Sequence, residues 1–211
     1  MLRGKVQLGT VQSLFVLDLP GLLSAFHQHY PDVEIGLIEA NTGEMIEAVR
    51  RGRLDVALIS LMGTSAPHGL EVKILTHDPV VAVVALDNPL AERDTITVED
   101  LRDRELICLP KETVLRSQLD AECTKLGFSP RVAFEASHPY TLARLAARGL
   151  GVAVTYHAVA ETEAAHLKIL QISATRMRGR LGLAWSTERP LTPASRAFID
   201  TAKAWPVGGA G

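Results

Sequence analysis

The chain has 211 residues, 47% of them hydrophobic and 22% charged, with a formal net charge of -2. That length can bury one large core or two small lobes, and the balance excludes gross disorder and a free-standing nucleic-acid binder with a strongly basic face. No apolar run nears the roughly 18 residues of a membrane span, and Cys108 and Cys123 form no Cys-x-x-Cys pair, so they read as buried thiols rather than a zinc or redox motif.

Residues 5–9 alternate as a strand, residues 10–13 form a short polar turn, and Leu19, Leu22, Leu23, Phe26 and Tyr30 share one face of an amphipathic helix. Pro31 closes that helix because proline cannot continue it, and residues 33–37 alternate again. Asn41 and Glu44 stand at capping-box spacing before a second helix with Met45, Ile46 and Val49; Arg50 and Arg51 suit its negative end, and Gly52 the residue beyond. Residues 54–60 read as a buried third strand. Strand, helix, strand, helix, strand with short connections specifies a parallel sheet with right-handed crossovers. Ligands of such sheets bind past the carboxyl ends of the strands, here Thr10 to Ser13, Asn41 with Thr42, and Ser60 onward.

After a turn-rich loop, Leu70, Val72 and Ile74 alternate with Glu71 and Lys73, residues 76–79 read as a turn, and residues 80–86 as a strand buried on both faces. A second lobe then repeats the logic of the first. Thr97 and Asp100 cap a short turn, residues 106–109 form a strand, and residues 110–113 turn into a helix with Leu115, Leu119, Cys123 and Leu126 on one face, stopped by Gly127. A strand at Val132 and Phe134 leads through Ser137, His138 and Pro139 into a helix bearing Leu142, Leu145 and Ala146, which Gly149 ends before a strand at 150–155. A helical stretch at 157–165 and a strand at 167–172 follow. Leu181, Leu183 and Trp185 alternate in a strand that returns the chain, and Pro193 starts a last helix with Ala194, Phe198, Ala202 and Trp205. The expectation is an α/β protein of two Rossmann-like lobes joined by two crossing strands. Lobe I is 1–84 plus 185–211, lobe II is 85–184, and a cleft between them suits a small ligand.

Gly9-Thr10, Phe26-His-Gln-His-Tyr30-Pro31, Gly52-Arg-Leu-Asp55-Val-Ala-Leu, Asn88-Pro89-Leu90 and Ala147-Arg-Gly149-Leu-Gly151-Val occur in this order over nearly the whole chain. Together they resemble the effector-binding domain of LysR-type transcriptional regulators. The resemblance implies a type 2 periplasmic-binding-protein fold whose inter-lobe cleft senses a small metabolite. It also implies a homodimer or higher homo-oligomer, commonly with the first helix of one subunit beside the second lobe of its partner. Full-length members carry an N-terminal winged helix-turn-helix and a linker helix, and neither is read in this sequence. The expectation is therefore a cytoplasmic regulatory fragment, without membrane contact, that meets DNA only through a missing N-terminal domain.

Thr10, Gln12 and Ser13 occupy the turn where ligands of the resembled family meet the first helix. Hydroxyl and amide donors beside the exposed N–H groups of a helix start seat a carboxylate or sulfate, although simple capping gives the same residues. Asn41, Thr42 and Ser60 stand at the neighbouring ends. In the second lobe, Lys111, Glu112, Thr113 and Arg116 lie in the equivalent turn, where a cation complements an anion or is merely solvated. Ser137 and His138 form the third such turn. The effector is expected to be a small anion. No cofactor, metal or catalytic set is expected: His27 and His29 face different sides of a helix, and Gly149-Leu-Gly151 follows a helix and precedes a strand, the reverse of a dinucleotide fingerprint. Two other classes share the scaffold. A transporter's solute-binding protein would need an export signal, and an enzyme such as a dehydratase would need a poised acid or base, for which only Glu112 and His138 offer themselves.

Overall fold

The structure is a computed structural model and describes residues 2–11, 17–61 and 65–206. The chain divides into two compact units, Met1–His77 with Arg180–Gly211, and Asp78–Gly179. The fold is the expected mixed α/β one.

In unit 1 the first strands and helices alternate: β1 (Gly4–Thr10), α1 (Leu19–His29), β2 (Val33–Glu39), α2 (Thr42–Arg50) and β3 (Val56–Ser60). The first part of β4 (Leu70–Ala85), most of β10 (Arg178–Ser186) and α6 (Pro193–Ala204) complete it. β1 lies between β2 and β3, parallel to both, with Thr10 opposite Glu39 and Leu58. β10 runs antiparallel to β3, Leu183 opposite Leu58. Alternation sorts the two faces of this sheet. Val6, Leu8, Val56, Leu58 and Leu183 pack with Leu22 and Phe26 of α1 and Phe198 of α6, while Ala57, Ile59 and Ala184 pack with Met45 and Val49 of α2.

Two local expectations give way. The first helix starts at Leu19 rather than directly after residues 10–13, with Asp18 Oδ1 accepting the Gly21 N–H at 2.9 Å and Pro20 in the first turn. Proline is suited to that position, where no intrahelical N–H bond is lost. The expected turn at 76–79 is the middle of one 16-residue strand, β4. Pro79 has no N–H to donate, and it immediately precedes Val80, the first residue that β4 pairs with a strand of unit 2.

Unit 2 holds the rest of β4, then β5 (Thr95–Ile96), β6 (Leu106–Cys108), α3 (Val114–Lys125), β7 (Val132–Glu135), α4 (Pro139–Ala147), β8 (Val152–Tyr156), α5 (His157–Glu161) and β9 (Leu167–Ile172). β6 is parallel to β7 and β8, and β4 is antiparallel to β8 and β9. Helix α5 ends four residues before the expected stretch does, closed by turns through His166. The two glycines after α4 serve packing and chain reversal. Gly149, at φ +76, donates to the Ala146 carbonyl at 2.9 Å. Gly151 sits at φ +146, where a Cβ would come within 2.5 Å of the Glu105 carbonyl oxygen.

Candidate functional site

In unit 1 the ends of β1 and β3 and the start of α2 meet at the carboxyl end of the sheet. Helix α2 is fixed there by a complete capping box. Asn41 Oδ1 accepts the Glu44 N–H at 2.9 Å, and Glu44 Oε2 accepts the Asn41 N–H at 3.4 Å. Among the described residues nothing takes the amides of Thr42 and Gly43, the first two of the helix, which the helix itself cannot satisfy. The Thr42 hydroxyl accepts the Ser60 N–H at 3.3 Å and lies 3.5 Å from the Ser60 carbonyl. It thereby ties the helix start to the end of β3. Thr10 is 1% exposed; its hydroxyl donates to the Val11 carbonyl at 3.1 Å, and its own carbonyl accepts the Ala40 N–H at 3.1 Å. Its role in the structure is to knit the strand ends. Gln12 and Ser13 lie outside the described residues.

In unit 2 the turns after β6 and β7 lie side by side, joined by the Ala136 N–H donating to the Cys108 carbonyl at 3.1 Å. Thr113 caps α3, its hydroxyl accepting the Arg116 N–H at 3.4 Å and donating to the Pro110 carbonyl at 2.7 Å. Lys111 is exposed on that turn. Ser137 and His138 are exposed on the next; His138 stands at the N-cap of α4 with no side-chain capping bond, and Pro139 follows.

Arg116 is placed differently from its neighbours. It is 6% exposed, with Nε donating to Asp120 Oδ1 at 2.9 Å and Nη1 lying 3.3 Å from both the Leu109 carbonyl and Glu135 Oε2. The guanidinium therefore binds α3 to the ends of β6 and β7 beneath the turn. Its carboxylate partners act to hold it protonated against burial, which is the largest single influence on it.

Sequence reasoning passed over two polar groups. Thr155, near the carboxyl end of β8, is 0% exposed, and its hydroxyl has no hydrogen-bond partner among the described residues. A lone hydroxyl ending the apolar run 152–154 was the available signal. Asp78 is 5% exposed within β4; burial raises its carboxyl above the ordinary range, and only then does the Ala158 N–H, at 3.3 Å, pull it back. Among the described residues no helix is long and apolar enough to cross a membrane.

A family model described as the LysR substrate binding domain matches residues 1–206. The transcriptional dual regulator GltC of Bacillus subtilis (strain 168) is 31% identical over 199 residues, which are 94% of this chain and 66% of that protein. The chain thus spans just under two thirds of the length of that relative. The effector binding domain of QuiR in complex with shikimate superposes with a TM-score of 0.82 at 22% identity, covering 95% of this chain and 96% of that one. The BenM effector binding domain with its effector benzoate gives 0.79 at 18% identity, covering 94% and 90%.

Proposed function

The chain belongs to the LysR substrate-binding domain family, and on that premise we propose that it senses a small carboxylate or similar anion for a LysR-type transcriptional regulator. The observation that carries this reading is the start of α2, where two helix amides without partners among the described residues stand beside the linked Thr42 and Ser60. Such a helix start favours negative charge through its oriented N–H groups. Shikimate and benzoate, each a carboxylate, are the molecules bound in QuiR and BenM. On this reading Thr42 and Ser60 hold the anion in unit 1, with Gln12 and Ser13 proposed as further contacts, and Lys111, Thr113, Ser137 and His138 are the proposed contacts of unit 2. Arg116 stiffens the second set from behind. A ligand reaching the end of β8 would also give the buried Thr155 hydroxyl a partner.

The proposed mechanism is binding without turnover. The effector favours one conformation of the domain and shifts its population, and a homodimer passes the change to a DNA-binding segment in the cytoplasm. Edge strands supply the support for self-association: β2 exposes Leu37 (44%) and Ile38 (50%), and β7 exposes Phe134 (38%). Unpaired apolar edges of this kind are covered in stable assemblies.

Calorimetry against shikimate, benzoate, other small carboxylates, sulfate and phosphate tests the proposal. At least one anion should bind saturably, and Ser60→Ala and Thr42→Ala should each weaken it about tenfold, the worth of one lost hydrogen bond to a charged group. Binding indifferent to both substitutions would reject the site.

A further inference from the structure

We propose a second ligand site in unit 1, in the groove between α1 and α6, that takes a free α-amino acid with an apolar or aromatic side chain. The groove is open to solvent and offers about 760 Å³, within the range of about 300–1,000 Å³ of small-molecule pockets. It shares no residue with the proposed effector site. Tyr30, Leu191, Ala197 and Trp205 supply apolar and aromatic wall, and all four are only partly buried. Arg196 and Asp200 supply charge.

The charge pattern selects the ligand class. Arg196 and Asp200 are four residues apart on α6, on neighbouring turns, yet they form no ion pair with each other or with any described residue. A lone cation would suit a simple carboxylate, and a lone anion an amine. One of each, set over an apolar wall, matches a zwitterion whose carboxylate meets the Arg196 guanidinium and whose ammonium meets the Asp200 carboxylate. The ligand's side chain then lies against Tyr30 and Trp205, where ring contact adds to the burial of apolar surface. A deaminated or decarboxylated analogue leaves one of the two protein charges facing a neutral or absent partner and loses that contact.

The test uses L-phenylalanine and L-leucine as probes, titrated into the chain by calorimetry, with 3-phenylpropionate and phenethylamine as analogues lacking the ammonium and the carboxylate. At least one amino acid should saturate, and the matching analogue should bind at least tenfold more weakly. Arg196→Gln and Asp200→Asn, both at exposed positions, should each weaken the amino acid at least tenfold with circular dichroism unchanged, and Ser60→Ala should leave it unaltered. Absence of saturation by both amino acids at about 10 mM, where affinity falls below about 3 kcal/mol, would overturn the site. Equal binding of the analogues would overturn the zwitterion assignment. Loss of binding in Ser60→Ala with Arg196→Gln unaffected would place the amino acid at the effector residues instead. Because the effector assay depends on Ser60 and this one on Arg196, either reading can fail without the other.

Discussion

Replacing Arg116 by methionine isolates what its guanidinium does for unit 2. The wild-type side chain is 6% exposed and makes one well-formed bond, Nε to Asp120 Oδ1 at 2.9 Å; the two Nη1 contacts at 3.3 Å are long and share one nitrogen. A hydrogen bond to a charged partner is worth about 1.5–3 kcal/mol at full strength. The Asp120 and Glu135 side chains are 38% and 48% exposed and can rehydrate once released, so the loss should be discounted to about 1–2 kcal/mol. Methionine keeps most of the buried stem. Alanine also strips methylenes worth about 0.8 kcal/mol each, which raises the expected cost to about 2–4 kcal/mol. Urea unfolding followed by circular dichroism reads both values, and calorimetry with a bound carboxylate reads the site. If Arg116 supports the turn from beneath, Arg116→Met weakens binding only a fewfold while stability falls. The reasoning is refuted if Arg116→Ala stays within about 0.5 kcal/mol of wild type, or if Arg116→Met abolishes carboxylate binding at unchanged stability.

Three further substitutions or probes test the interior. Phe198→Ala removes a fully buried ring in edge contact with Phe26, centroids 5.2 Å apart; urea unfolding should show a loss of about 3–5 kcal/mol, and a loss under about 1 kcal/mol would contradict the packing of α6 on unit 1. Asp78 has a folded pKa raised chiefly by burial, so its contribution to stability is present below its unfolded value of about 3.9 and is lost as pH rises through the folded value. Asp78→Asn keeps an acceptor for the Ala158 N–H but carries no charge, so its unfolding midpoint should decline less than wild type as pH rises across that window; parallel profiles there would refute the burial. Burial pushes the Cys108 thiol up to about 12 and the Cys123 thiol up to about 11. Both should resist a thiol reagent at pH 8 until denaturant is added, and fast labelling of the native chain would contradict their placement.

How much of this was legible in the sequence followed from the range of each interaction. The capping box of α2 was readable because both its bonds join residues three apart. So were the glycine stops at Gly127 and Gly149, at φ +75 and +76, which local backbone geometry demands. The start of α1 is equally local, written in Asp18, which caps it, and in Pro20 of its first turn. β4 was beyond local reading. Asp78-Pro79 has the composition of a turn, and only strand partners distant in sequence, such as Tyr156 opposite Val80, keep it extended. Arg116 was ambiguous for the same reason. A guanidinium near a helix start can face solvent or turn inward, and here Glu135 and the Leu109 carbonyl, which the fold brings near, accompany the inward choice. The ends of β1, β3, β6 and β7 were named as site positions from topology alone, since any parallel sheet offers them. Which hydroxyls there are already occupied, as in Thr10 and Thr113, depends on loop packing that no spacing reveals.

The central claim is that a small anion is held at the start of α2 beside the end of β3. Hydrogen exchange read by mass spectrometry, with and without a carboxylate that gives saturable heat, tests it directly. Slowed exchange is predicted in the peptides containing Thr42 and Ser60, which the Ser60 N–H to Thr42 hydroxyl bond joins. Protection falling only on segments away from them would contradict it.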